Sequence, residues 1–210
     1  MATVDVYLYG VPWGFIRDLL LSLVMREFDW NDLYGQLRQL AETETVRPEF
    51  TLELAPAPAK LATHTAALLA DVDTAVPVGN GRLVVLYEPE YQVAWEGSVR
   101  LVSYITAQLE PELISDPLLL EVGWSWVSDA LQGLSCAALS GTVSRNDSQS
   151  FGDISSRPPE GSIEMRASWT VLNLAEFSQH LHAWIAMLQG ASGLEPLPDG
   201  VIHIATNRNA

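Results

Sequence analysis

Strict alternation of apolar and polar residues between positions 163 and 171 constrains the fold more than any other feature of the chain. An extended strand places successive side chains on opposite faces, so this pattern predicts a β-strand that is buried on one face only. Residues 137–145 alternate less regularly, and we expect them to form a neighbouring strand. The apolar residues are Ile163, Met165, Ala167, Trp169 and Val171, and the polar residues are Glu164, Arg166, Ser168 and Thr170.

Other periodicities predict the remaining elements. One of the predicted helices, after Asp116, is apolar on most of its surface, which is typical of a buried helix. We therefore predict one α+β domain with an antiparallel or mixed sheet of about five strands and helices packed mainly on one face. The helices are expected at residues 30–40, 61–72, 117–132 and 174–189, and the further strands at 50–54, 82–87 and 98–109.

The predicted domain occupies residues 29–205, with an appendage at 1–28 and a short tail at 206–210. Apolar residues between Val11 and Leu23 recur at helical spacing, so the appendage is interpreted as a short amphipathic helix docked on the domain. A misplaced start is the other interpretation, because translation from Met25 would leave residues 1–24 out of the natural protein. Residues 201–204 predict a short closing strand.

Charge and cysteine content exclude several classes of function. Acidic residues outnumber basic ones by 26 to 11, giving a formal net charge of −15, so we expect no direct binding to nucleic acid or to an anionic membrane. Cys136 is the single cysteine, which excludes an internal disulfide and a thiolate metal cage. It also fits the reducing cytoplasm. No apolar run has the length of a membrane-spanning helix or the flanks of an export signal.

A series of short motifs runs through the chain in a fixed order. It consists of Arg47-Pro48-Glu49, Ala55-Pro56-Ala57-Pro58, Leu109-Glu110-Pro111-Glu112, Asp116-Pro117, Glu121-Val122-Gly123-Trp124-Ser125-Trp126, Ser140-Gly141-Thr142-Val143, Ser150-Phe151-Gly152 and Arg166-Ala167-Ser168-Trp169-Thr170. Over about residues 45–200 the chain thereby resembles an actinobacterial family known only as domain of unknown function 3000. The resemblance implies a cytoplasmic bacterial protein and brings no activity, substrate or catalytic residue. Residues 1–28 fall outside it, which favours their being an appendage.

Charged residues on the predicted strands are candidates for a binding site. Glu164 and Arg166 share one strand face, about 7 Å apart, while Arg100 and Arg145 lie on other predicted strands. An arginine fork matches carboxylates in pairs. These residues therefore predict either an ion-pair network across the sheet or an anionic small-molecule site lined by the three arginines.

Two tryptophans are the other candidates. Trp124 and Trp126 lie about 200° apart around one predicted helix, so they cannot face the same neighbour. We expect one to lie in the core and the other to be available to a partner, since aromatic residues are enriched in binding hot spots.

Catalytic and metal-binding patterns are incomplete in the sequence. Gly123–Val127 begins like a nucleophile elbow but lacks its final glycine and lies in a predicted helix. Three glutamates in the loop at 89–97 and its borders are expected to be solvated, so we expect no metal and no cofactor.

We predict a non-enzymatic protein-binding or adaptor domain in the cytoplasm, whose partner is another protein or a second copy of the chain. The alternative is a small-molecule binder or enzyme that uses the arginine–carboxylate face, with the 146–161 loop as a lid.

Overall fold

A six-stranded antiparallel sheet forms the centre of the fold, one strand more than the sequence predicts. The computed structural model describes residues 7–8, 11–12, 29–42, 47–58, 60–73 and 77–195. The strands are β1 (Tyr7–Leu8), β2 (Val11–Pro12), β3 (Phe50–Ala55), β4 (His64–Asp73), β5 (Pro77–Gln92), β6 (Gly97–Leu109), β7 (Cys136–Ser148) and β8 (Glu160–Val171). The order across the sheet is β3-β4-β5-β6-β8-β7, while β1 and β2 pair separately.

Helices pack on one face of this sheet, as predicted. They are α1 (Trp30–Glu42), α2 (Pro111–Ile114), α3 (Leu119–Ala130) and α4 (Phe177–Ala191). Helix α1 lies against β3 and β4, α3 against β7 and β8, and α4 against β5, β6 and β8. The alternating stretch is strand β8, and its five apolar residues are buried in the core. The α+β domain predicted from the alternation is therefore confirmed.

Most of residues 61–72 form a strand, and the prediction of a helix there is wrong. Strand β4 pairs antiparallel with both β3 and β5. Leu68, Ala70 and Val72 are buried towards the helices, while Ala67 is buried on the other face, with Ala57 and Ala62 packed against its cluster. Burial on both faces removes the alternation that identifies a strand, and the remaining apolar residues fit a helical period as well.

Helix α3 is less buried than its apolar surface predicts. Gly123 and Val127 are buried against the sheet. Leu118, just before the helix, and Leu120 and Val122 within it are 55%, 43% and 41% exposed. The apolar surface therefore has two parts, one that packs in the core and one that faces solvent.

Several boundaries differ from the predictions. Strand β5 extends to Gln92, so the predicted loop at 89–97 shrinks to a turn at 93–96. Pairing of β7 with β8 shortens the predicted 146–161 loop to residues 149–159. The closing strand at 201–204, the tail at 206–210 and the appendage at 1–28, apart from β1 and β2, lie outside the described residues. Among the helices described, none has the length and apolarity needed to cross a membrane.

Candidate functional site

The sheet face that points away from the helices is covered over one half and uncovered over the other. Over β4 and β5, Ala67, Val84 and Leu86 form a small buried cluster with Trp95 packed against it. Over β6, β8 and β7 the corresponding side chains are mostly polar, and Val102 is 38% exposed. We call this uncovered half the open face; it consists of the even-numbered residues 98–108, 140–148 and 160–170, which the strand register places side by side.

Arg100 crosses the open face from β6 to the outermost strand. Its guanidinium donates to the carbonyl oxygen of Ala138 at 2.9 Å and to the hydroxyl oxygens of Thr170 at 3.1 Å and Ser168 at 2.7 Å. Ala138 lies in a β-bulge of β7 and has a φ of 48°, which is unusual for a residue with a side chain. Burial lowers the pKa of Arg100. The bond to Ala138 links Arg100 to the bulge and helps to hold it in place. All three bonds go to neutral oxygens and none to a carboxylate.

Glu164, Arg166 and Tyr104 form a connected group at the middle of the open face. Nη2 of Arg166 is 2.8 Å from Oε1 of Glu164, and the Tyr104 hydroxyl donates to Oε2 of Glu164 at 2.8 Å. This hydrogen bond raises the pKa of Tyr104. The guanidinium carbon of Arg166 lies 5.6 Å from the centre of the Tyr104 ring, within the range of a cation–π interaction. Glu164 and Arg166 thus pair locally along their strand.

A hollow of about 450 Å³ lies beside this group. Ser140 and Thr142 of β7 and Ser168 of β8 line it, together with Val102, Tyr104 and Arg166. We call it hollow A. Its mixture of hydroxyls, one guanidinium and apolar surface suits a small polar molecule or the side chain of a partner.

Strand β7 forms one edge of the sheet and is exposed along most of its outer half. It has thirteen residues and, among the described strands, pairs only with β8. Residues 144–149 are all exposed. An edge strand leaves a row of N–H and C=O groups unpaired, and another strand can bind them.

A second hollow, of about 380 Å³, opens at this edge on the helix side of the sheet. Leu120, Glu121 and Trp124 of α3 line it with residues 141–143 of β7. A Cβ at Gly141 would lie 2.8 Å from the Trp124 ring, so a glycine is needed where α3 approaches the edge. We call it hollow B. The outer edge of β7 together with hollows A and B is the β7 edge surface.

Trp126 lies on a different side of α3 from Trp124, as the angle between them predicts. It packs against Gly190 of α4, where a Cβ would be 3.0 Å from the indole ring, and lines a third hollow of about 510 Å³ with Leu194. Both tryptophans are partly buried. The structure therefore divides them between two hollows and does not bring them together.

Arg145 lies apart from the other two arginines. The register pairs it with Ile163, which is buried towards the helices, so Arg145 belongs to the face opposite Arg100 and Arg166. Its Nε is 3.5 Å from an Asp147 carboxylate oxygen. Of the three arginines, only Arg166 lines hollow A.

Sequence reasoning missed Phe151, which is 75% exposed and has an extended backbone with φ −132° and ψ 168°. It also missed Leu120 and Gly141 as walls of a hollow. The signal for Phe151 was available, because it is the single large apolar residue between Arg145 and Asp153.

Other titratable side chains of the domain have structural roles. Trp169 Nε1 donates to His180 Nδ1 at 3.2 Å, both side chains are fully buried, and burial lowers the pKa of His180. Burial raises the pKa of Cys136, which lowers its thiolate content. Glu88 accepts bonds from the backbone and hydroxyl of Thr63. Over the described part of the chain, no three His, Cys, Asp or Glu side chains are grouped as a metal site requires.

Comparison with known proteins identifies a family. A family model described as "Protein of unknown function (DUF3000)" matches residues 31–202. No curated protein and no solved structure matches the chain.

Proposed function

The chain belongs to the DUF3000 family of proteins of unknown function, and we propose that it is a non-enzymatic protein-binding or adaptor domain. The observation that carries the proposal is the β7 edge surface, an exposed strand edge between two hollows. A bacterial cytoplasmic location is part of the proposal, since a single cysteine suits a reducing compartment.

The strand edge supports binding through the main chain. An extended segment added to β7 would form backbone hydrogen bonds along the edge, which provide affinity, and pockets for alternate side chains would provide specificity. Successive side chains of an added strand point to opposite faces. One set would therefore lie beside hollow B, beneath Leu120 and Trp124, and the other set beside hollow A.

Exposed apolar residues of α3 support the same function. Leu118, Leu120 and Val122 are each more than 40% exposed, although a helix of this composition is usually buried. Leu120 lines hollow B, so part of this exposed apolar surface adjoins the edge of β7.

Site-specific photo-crosslinking in the native host tests the proposal. Thr142 on β7 and Thr51 on β3 are both exposed threonines on edge strands, so Thr51 is a matched control. We expect a photoreactive phenylalanine analogue at position 142 to give a discrete cross-linked protein and the same analogue at position 51 to give none. Equal products from both positions, or none from position 142, would contradict the proposal.

An anionic small-molecule ligand in hollow A is the alternative, whether bound or turned over by an enzyme. Arg166 and the hydroxyls of Ser140, Thr142 and Ser168 favour it. Arg166 is, however, already paired with Glu164 at 2.8 Å, so a bound anion would compete with that carboxylate.

Thermal shift measurements separate the two functions. Small phosphate- and carboxylate-bearing compounds should leave the melting temperature unchanged if the domain binds proteins only. A stabilisation that is lost in Arg166→Met and kept in Arg145→Met would favour the ligand, since Arg145 lies on the other face.

A further inference from the structure

We infer that the β7 edge binds a second copy of this chain, with the two β7 strands antiparallel about a two-fold axis through Asn146. The inference rests on the proposed function, because it names the partner of the same surface. The exposed edge makes such pairing sterically open along residues 144–149. A two-fold axis makes the interface isologous, so every contact away from the axis occurs twice.

Charge complementarity selects the register. With Asn146 on the axis, Arg145 of each copy lies opposite Asp147 of the other. Opposite charges in directly facing positions stabilise a strand pair, and like charges destabilise it. An axis through Arg145 or through Asp147 would set two like charges face to face, so neither register is favoured.

The same register brings Phe151 to hollow B. In this pairing Phe151 lies opposite Gly141 of the second copy. Directly paired residues share a face of the sheet, and Gly141 is on the helix side, next to Trp124. The phenyl ring would therefore lie along the wall that Leu120 and Trp124 form. This buries the most exposed aromatic side chain of residues 144–195, and its extended backbone already suits strand addition.

Two unrelated features thus agree on one register. The charges of residues 145 and 147 come from the end of β7, and the aromatic residue and the hollow come from residues further from the axis. The net charge of −15 on each copy opposes association. Exposed charges more than about 8 Å apart are largely screened at physiological salt, so the local pairs and the apolar contact decide the outcome there.

Engineered disulfides test the register. In a Cys136→Ala background, Asn146→Cys would place the two new thiols opposite each other, with Cα atoms about 5 Å apart, within disulfide range. Ser144→Cys is the matched control on the same strand face. Its two copies would be about 13 Å apart along the strands, too far to bridge. We expect a covalent dimer from the first variant under air oxidation and little from the second; equal yields would overturn the register.

Sedimentation equilibrium at 0.15 M salt tests the charges and the ring. We expect a reversible dimer that Arg145→Asp or Asp147→Arg weakens at least about tenfold, while the double swap restores it to within about threefold. Phe151→Ala should also weaken it at least about tenfold without changing the melting temperature of the monomer. Arg38→Asp, which breaks an exposed ion pair with Glu42 on α1, is the control and should change nothing.

Failure of this inference is distinct from failure of the proposed function. A protein that stays monomeric at 100 µM overturns the inference, as does a double swap that fails to restore the dimer. If that monomer still cross-links another protein from position 142, the protein-binding function stands and its partner is a different molecule. A dimer seen in solution together with a cross-linked product of twice the chain mass supports both.

Discussion

The two edge strands of the sheet differ in how well they are protected from pairing with another chain. Strand β3 has six residues, is followed by Pro56 and Pro58, and packs against α1. Strand β7 has thirteen residues, contains no proline and is exposed along residues 144–148. Short strands and prolines are devices that prevent an edge from pairing with another chain. The difference indicates that β7 is the edge suited to a partner and that β3 is the protected one.

Truncation of a buried side chain in the strand next to each edge should cause the largest loss of stability. Trp169 lies in β8, which pairs with β7, and Leu68 lies in β4, which pairs with β3. Both side chains are fully buried. Trp169→Ala should lower the free energy of unfolding by about 3–5 kcal/mol and Leu68→Ala by about 2–5 kcal/mol. Urea denaturation measures both. A loss below about 1 kcal/mol in either variant would contradict the burial of that side chain.

Two phenylalanines near the two edge strands differ in burial. Phe50 on β3 is partly buried against the main core, whereas Phe151 beyond β7 is 75% exposed. We expect Phe50→Ala to cost about 2 kcal/mol, roughly half the value for a fully buried ring, and Phe151→Ala to cost less than about 0.5 kcal/mol. The measurement is urea denaturation at a concentration where the chain is monomeric. The reverse order would mean that Phe151 belongs to the folded core.

An arginine from an interior strand also bonds to each edge region, and the two arginines make different numbers of hydrogen bonds. Arg100 makes three bonds, one of them to Ala138 in β7, while Arg82 donates to the carbonyl of Pro56 after β3 at 3.0 Å. Both are partly exposed, so we expect losses of about 1 kcal/mol for Arg100→Met and about 0.5 kcal/mol for Arg82→Met. Hydrogen exchange should quicken in residues 136–148 of the first variant only. Unchanged exchange there would rule out a role for Arg100 in holding the bulge.

A further effect of less than about 1 kcal/mol concerns pH and the packing of His180 beneath β8. The pKa of His180 is lowered from 6.5 by burial, so below pH 6.5 the unfolded chain takes up a proton that the folded chain does not. Stability is therefore present above this pH and is lost as the pH falls through the window below it, by at most about 0.8 kcal/mol between pH 7.5 and 6.0.

Urea midpoints of the wild type and of His180→Gln check this expectation. The variant should lose less stability than the wild type between pH 7.5 and 6.0. Between pH 8.5 and 7.5 the imidazole is largely neutral in both states, so the two proteins should change equally there. Equal losses at the lower pH would show that His180 does not contribute.

The parts of the fold that sequence predicts are those buried on one side. Strand β8 has one buried and one polar face, and α1 buries Leu33, Leu37 and Leu40 at helical spacing. The sequence periodicity therefore predicts both elements. Strand β4 is covered on both faces, which left no alternation to distinguish it from a helix. For α3, composition alone could not show which of its apolar residues the sheet would cover.

The site was predictable only where it depended on local geometry. The Glu164–Arg166 pair follows from a spacing of two along a strand, and the separation of Trp124 from Trp126 follows from the helical turn. The sheet face on which Arg145 lies could not be predicted in this way. The bulge at Ala138 shifts the alternation of side chains by one residue and so exchanges the two faces of β7 beyond it. Phe151 gains a role only through the dimer proposed for β7, and that proposal depends on where β7 ends in the fold.

The order of strands has a consequence for synthesis. Strand β8 is the last of the described strands along the sequence, yet it lies between β6 and β7. On the ribosome the meander from β3 to β6 can form early from neighbouring segments, but β7 emerges with no adjacent strand to receive it. Strand β7 can therefore join the sheet only after β8 has been synthesised. A chain cut short before residue 160 would lack β8 and would therefore leave both β6 and β7 without the strand that pairs with them. Unpaired strand edges of this kind make incomplete chains prone to aggregation.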